Sequence, residues 1–182
     1  GIVVVPDLRI KVLQNIVSPK KTQPATVEFV DIAGLVAGAS KGEGLGNKFL
    51  ANIRETDAIM HVVRCFNDDN VVHVGGKVDP LSDIEIINTE LILADMETLD
   101  KAIQKESKKS KSGDKESIAL LNVYKKVEVI FNEGNLAIHL DLSVDELVLI
   151  KPLCLITIKP MMFVANVDEN GFEGNKNLDA VI

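Results

Sequence analysis

Tryptophan is absent from this 182-residue sequence, tyrosine occurs once and phenylalanine six times. An aromatic platform for stacking unpaired bases is therefore a poor first reading. Only two cysteines occur, Cys65 and Cys154, far apart and in apolar surroundings. That excludes a disulfide or zinc framework and predicts two small buried side chains in a reducing, cytoplasmic setting. Long hydrophobic runs are missing too. The longest candidate, residues 147–158, is broken by Lys151 and Pro152, so no membrane partner is expected, and no signal peptide is visible. Positive charge is in deficit, with 20 Lys and Arg against 27 Asp and Glu and a net charge of −7. The chain as a whole is not a basic nucleic-acid binder, although a local patch can be one. What is present is an ordinary balance of 46% hydrophobic and 26% charged residues. This excludes a disordered chain and suits one domain, with room for an insertion.

Residues 2–5 are an apolar run suited to a short strand. Pro6 and Asp7 open a helix, with Leu8, Val12, Leu13 and Ile16 at helical spacing until Ser18-Pro19 stops it. Residues 26–31 are rich in β-formers and end on the Asp31 carboxylate. A glycine-rich loop covers 34–46, residues 47–54 read as helix, and residues 58–66 as a strand expected to be buried on both faces. Residues 82–111 form a long helical pattern in which Ile92, Met96, Leu99 and Ile103 line one face. Gly113 breaks it and Asp114 can cap the next helix, faced by Leu120, Val123, Val127 and Ile130. The pair predicts an antiparallel coiled-coil hairpin. Ser143 to Glu146 spells a capping box, and residues 161–167 return to strand character. The expected fold class is α/β, a mostly parallel sheet interrupted by the hairpin. The chain opens at Gly1 without Met and stops inside a starting helix, the pattern of a segment of something longer.

Three segments carry chemistry. Asp31 and Gly34 form a D-x-x-G pattern after an apolar strand. In P-loop nucleotide hydrolases the carboxylate at such a strand tip holds Mg²⁺, usually through water, and the glycine N–H reaches the terminal phosphate. A side chain at Gly34 would block that approach. An ordinary strand-to-loop turn would look the same over four residues. The loop that follows, with Gly38, Gly42, Gly44 and Gly46, can order around a phosphate and relax without it. Asn166-Val167-Asp168-Glu169 stands where P-loop GTPases carry N-K-x-D, whose Asp pairs with guanine. Here Val167 replaces the Lys and Glu169 the Asp. Selection for guanine should weaken, while Asn166 can still bond a base nitrogen. Taken alone, this segment also reads as a plain turn.

Phe29-Val30-Asp31-Ile32-Ala33-Gly34-Leu35-Val36, Gly38-Ala39-Ser40-Lys41-Gly42-Glu43-Gly44-Leu45-Gly46-Asn47 and Asn52-Ile53-Arg54-Glu55-Thr56 closely resemble the YchF subfamily of Obg-related P-loop NTPases, the Obg-like ATPases. His61-Val62-Val63-Arg64-Cys65-Phe66 and Ile86-Ile87-Asn88-Thr89-Glu90-Leu91 match it as well. The resemblance covers essentially the whole chain. It implies a partial NTPase domain over 1–81 and 152–182, with an inserted helical domain over 82–151. It also implies that Asp31 is the Mg²⁺-associated aspartate and Gly34 the γ-phosphate sensor. Leu35 stands where many relatives of Ras place a water-orienting Gln, a task that Leu cannot perform. The resemblance makes His73 the candidate replacement, against the plainer reading of an ordinary loop histidine. His61, in an apolar strand, reads as structural. Asn166, Val167 and Glu169 match an altered base-recognition segment that prefers ATP, with GTP weaker.

The G-x-x-x-x-G-K-[ST] phosphate loop occurs nowhere in this sequence. In the family it lies upstream of Gly1, and a small TGS domain would follow Ile182. This chain by itself is thus expected to bind nucleotide poorly. Near the expected hairpin tip, Lys105, Lys108, Lys109, Lys111 and Lys115 make a basic knob, partly offset by Glu106, Asp114 and Glu116. It could meet ribosomal RNA phosphates, or simply be a solvated helical tip. The leading expectation is a Mg²⁺-dependent, ATP-hydrolysing switch associated with the ribosome. The alternative is a ribosome- or RNA-binding module using the hairpin tip, with nucleotide only regulatory. A coiled-coil adaptor without nucleotide fits the D-x-x-G segment less well.

Overall fold

The computed structural model describes residues 1–32, 45–68 and 77–182, with residues 45–49 described by backbone alone. The chain forms two compact units, 1–34 and 35–182.

In the first unit, β1 (Ile2–Val4) and β2 (Thr26–Glu28) pair antiparallel, with Val3 opposite Val27. The bond from Phe29 N–H to the Gly1 carbonyl (2.7 Å) extends the pairing by one residue. Helix α1 (Arg9–Val17) follows Asp7, whose carboxylate accepts from the Arg9 N–H at 2.9 Å and grips its guanidinium at 2.7 Å. It ends at Ser18, whose left-handed backbone (φ +45°) precedes Pro19. The expected stripe Leu8, Val12, Leu13 and Ile16 is present but exposed. The strand expected to run to Asp31 stops at Glu28, because pairing ends where β1 does.

In the second unit, α2 (Leu45–Arg54) leads into β3 (Ile59–Arg64). Helix α3 (Pro80–Ser110) and helix α4 (Lys115–Asn132) form the expected hairpin. Asp79 caps α3 and Asp114 caps α4, each accepting from a backbone N–H three residues on. Gly134, at φ +75°, takes the chain out of α4 in a conformation that favours glycine. Helix α5 (Val144–Ile150) carries the expected reciprocal Ser143–Glu146 box. Strand β4 (Met161–Asn166) returns parallel to β3, in register from Ile59 opposite Met161 to Arg64 opposite Asn166, and α6 (Lys176–Val181) closes the chain. Parallel strands need a long crossover, which the helices supply.

The core lies between the hairpin helices and the segment after them. Leu99 and Val127 are fully buried, with Ile92, Val123, Ile130, Phe131, Ala137, Ile150 and Leu155 around them. Met96, Ile103 and Leu120 pack against its edge. The expected burial of β3 on both faces is corrected. Strand β3 is covered on one face only: Val63 is buried, while Met60 and Val62 are 43% and 55% exposed. The β3–β4 pairing is parallel as expected, and in the first unit β1 and β2 pair antiparallel. Cys65 is buried as expected, but Cys154 is exposed, in a left-handed turn (φ +47°) that ends a short 3₁₀ segment.

Candidate nucleotide site and basic helical tip

Asp31 belongs to the first unit, three residues beyond β2 rather than at its tip, and is exposed. Among the described residues its carboxylate has no hydrogen-bond partner. One exposed hard-oxygen donor suits Mg²⁺, which keeps several waters and takes one or two carboxylates beside substrate phosphates. Among the described residues no three His, Cys, Asp or Glu side chains are grouped to hold a metal by themselves. Gly34, Leu35, Gly38, Gly42, Gly44 and His73 lie outside the described residues. Gly46, expected in the loop, is instead within α2, which starts at Leu45.

The second unit places Asn166 at the end of β4, with Val167 and Glu169 just past it. Asn166 closes the strand, and its carbonyl accepts from the Cys65 N–H at 2.7 Å. Asn166 and Glu169 are exposed and Val167 is half-buried. Asp168 folds the next turn, accepting from the Asn170 N–H at 3.1 Å through Oδ1 and from the Gly171 N–H at 3.0 Å through its carbonyl. Asn175, which sequence reasoning missed, closes the loop. Its Nδ2 donates to the carbonyls of Cys65 (2.9 Å) and Gly171 (3.1 Å). Its Oδ1 accepts from the Asn177 (3.0 Å) and Leu178 (3.4 Å) N–H groups that open α6. The signal was an N-cap asparagine before a helix; its second task depends on a residue 110 positions away.

His61 takes the structural place expected of it. It is half-buried in β3 with its ring 5.6 Å from that of Phe163, and among the described residues its buried Nδ1 has no hydrogen-bond partner. Burial holds its pKa below the ordinary value, opposed by the nearby Asp83 charge.

At the hairpin tip, Lys105, Lys108, Lys109, Lys111 and Lys115 are all exposed. Lys109 pairs with Glu106 at 3.1 Å. The buried Ser117 hydroxyl lies 2.8 Å from Glu106 Oε2 and 2.6 Å from Asp114 Oδ2. Hydrogen bonds, first from Ser117 and then from Lys109, hold the Glu106 carboxyl below the usual range. The same hydroxyl, with the Ser117 N–H, does so for Asp114.

A polar node that the sequence did not reveal sits at the root of the hairpin. Asp95 on α3 is fully buried and accepts from the N–H groups of Ile156 (3.0 Å) and Thr157 (2.8 Å) and from the Thr157 hydroxyl (2.8 Å). Burial nevertheless pushes its pKa up. Arg54, the last residue of α2, reaches Asp95, the Ala94 and Cys154 carbonyls and the Thr98 hydroxyl. Lys159 donates to the carbonyls of Ile53, Arg54 and Thr56 at the end of α2, and burial lowers its pKa. A groove of about 430 Å³ beside this node is lined by Leu147, Val148 and Ile158 among others, and by none of the expected site residues.

A family model described as "50S ribosome-binding GTPase" matches residues 11–132. The chain is 55% identical over 181 residues to the "Ribosome-binding ATPase YchF" of Haemophilus influenzae and to that of Escherichia coli O157:H7, covering 100% of this chain and 50% of each relative. It is 51% identical over 181 residues to the protein of that name from Bacillus subtilis, covering 98% and 50%. Among solved structures it is similar to "Structure of the Schizosaccharomyces pombe YchF GTPase", with a TM-score of 0.78 and 36% identity, over 99% of this chain and 50% of that one. The chain thus spans about half the length of the curated relatives it matches. Its α/β fold is that of the P-loop NTPases. The chain belongs to the 50S ribosome-binding GTPase family, and the relatives it matches there are its YchF members.

Proposed function

We propose that this chain is part of a Mg²⁺-dependent, ATP-preferring nucleotide hydrolase that works as a ribosome-associated switch. The observation that carries the reading is the parallel pair β3–β4, whose carboxyl ends lie together and present the segment 166–169. Open parallel sheets bind ligands outside those ends. Asn166, Val167 and Glu169 would face the base and favour ATP over GTP. Asp31 would hold Mg²⁺, which supplies charge neutralisation on the phosphates. Gly34 would sense the γ-phosphate, and the loop bearing Leu35, Gly38, Gly42 and Gly44 would change order with it, leading directly into Gly46 and α2. His73 would place the attacking water that Leu35 cannot.

The names of the relatives, ribosome-binding ATPases, support both the hydrolysis and the partner. We assign residues 1–81 and 152–182 to the nucleotide domain, residues 82–151 to the insertion, and the protein to the cytoplasm. Among the described residues no helix is long and apolar enough to cross a membrane. This chain alone, without a G-x-x-x-x-G-K-[ST] loop, should not hydrolyse ATP.

The test is hydrolysis by the full-length protein. ATP should be turned over faster than GTP, only with Mg²⁺, and His73→Ala should lower kcat by about 10²-fold or more, the scale of a positioned acid–base group. Equal use of ATP and GTP would sink the base assignment, and a wild-type rate in His73→Ala would sink the catalytic one. The second reading, a ribosome- or RNA-binding module, is favoured by the exposed lysines held on a hydrogen-bonded tip. It gains ground if tip substitutions abolish ribosome binding while nucleotide has little effect on it.

A further inference from the structure

We propose that Asn175 is the positioning residue of the base-recognition segment, clamping it onto the end of β3 through the backbone of Cys65. The proposal rests on the reading of 166–169 as base-contacting.

Both ends of the 166–175 loop are fastened to one residue. Cys65 gives its N–H to the Asn166 carbonyl (2.7 Å) and receives on its own carbonyl the Nδ2 of Asn175 (2.9 Å). The second Nδ2 bond, to the Gly171 carbonyl (3.1 Å), draws the middle of the loop against the same amide. With two acceptances at Oδ1, the Asn175 side chain satisfies both its donors and its acceptor. A side chain so engaged has little rotamer freedom to lose on binding, and the group it holds is pre-organised.

The loop is also closely packed at Gly171. A Cβ on Gly171 would lie 2.9 Å from Asp168 Oδ1, 3.1 Å from Asn175 Nδ2 and 3.1 Å from Val167 Cβ. Gly171 is buried for this reason, with Asp168 folded over it and Asn175 behind it. The exposed Asn166 and Glu169 side chains therefore stand on a frame set by Asn175, Gly171 and Cys65. Asn175 itself makes four bonds to the protein and has none left for a base.

Asn175→Asp separates the two tasks of this side chain. Aspartate is an equally good N-cap, so α6 keeps its start. A carboxylate oxygen in place of Nδ2 would face two carbonyls and lose both bonds. In the full-length protein, Asn175→Asp should raise the KM for ATP about tenfold, the scale of two lost hydrogen bonds. The kcat should stay within about twofold, since uniform binding is what is removed. The ratio of ATP to GTP affinity should fall by a similar factor. Gly171→Ala, which displaces the same loop from its other side, should act in the same direction and carries the test if Asn175→Asp does not fold. Asn166→Ala is measured alongside. If it weakens ATP binding while a folded Asn175→Asp or Gly171→Ala leaves KM and the ATP:GTP ratio unchanged, the positioning role is overturned and the base reading stands. If Asn166→Ala has no effect, both fall together.

Discussion

Arg54 Nη1 lies 3.4 Å from Oδ1 of Asp95, a carboxylate with no exposed surface. The contact joins the last turn of α2 to the middle of α3, and through Asp95 to the backbone at Ile156 and Thr157. A buried pair of this kind adds little net energy but is costly to break, since the surviving partner stays buried and unpaired. Asp95→Asn would leave the Thr157 N–H or the Ile156 N–H facing an amide donor. We expect a loss of about 3 kcal/mol of stability, seen as a lower urea midpoint at unchanged slope. Glu97→Gln, which breaks the exposed Lys101 pair on the same helix, should cost less than about 0.5 kcal/mol.

His61 makes stability depend on pH. Burial holds its folded pKa below the ordinary 6.5. Just below that value the unfolded chain therefore binds a proton that the folded chain refuses. The contribution is fully present above about pH 6.5 and is lost as the pH falls through the folded value. His61→Leu should flatten the urea-midpoint profile between about pH 7 and 5 relative to the parent. A difference between the two proteins that stays constant over that window would contradict this.

The hairpin was legible because its signals are local. The 3- and 4-residue spacing of Ile92, Met96, Leu99 and Ile103, the Asp114 cap and the Ser143–Glu146 box each act within a turn or two of helix. Strand limits were less legible, because a strand ends where its partner ends: β2 stops at Glu28 opposite Ile2, leaving Asp31 beyond it. The one-sided cover of β3 and the exposure of Cys154 likewise depend on neighbours distant in sequence. For the candidate site, the segment 166–169 was recognisable from its residue types. Its fastening by Asn175, and the Asp95–Arg54 node, were not, since each joins residues 40 to 110 positions apart.

Ser117 ties the two hairpin helices at their tip. Its single hydroxyl proton is shared between Glu106 on α3 and Asp114 ahead of α4. Ser117→Ala would keep the backbone cap from the Ser117 N–H to Asp114 (3.0 Å) but leave the buried Glu106 with Lys109 alone. A loss of about 1–2 kcal/mol is expected, with faster amide exchange confined to the tip rather than to the core around Leu99 and Val127. Exchange that quickens equally throughout would mean that the tip unfolds only with the whole hairpin.

The tip lysines divide by what already holds them. Lys109 is paired with Glu106, whereas Lys105 and Lys108 on the last turns of α3, Lys111 in the turn and Lys115 at the start of α4 stand exposed around a tip that Ser117 and Asp114 hold in place. If the tip meets ribosomal RNA phosphates, each contact releases counterions and steepens the salt dependence by about 0.7–0.9 in log–log slope. Changing the four exposed lysines to glutamine should then reduce the slope of ribosome binding by about 3, with most of the affinity loss appearing at low salt. Lys109→Gln alone should alter the slope little, because its charge is already neutralised in the free protein. An unchanged slope in the fourfold variant would remove the tip from the interface and leave its lysines the plainer task of solvating the end of a long hairpin.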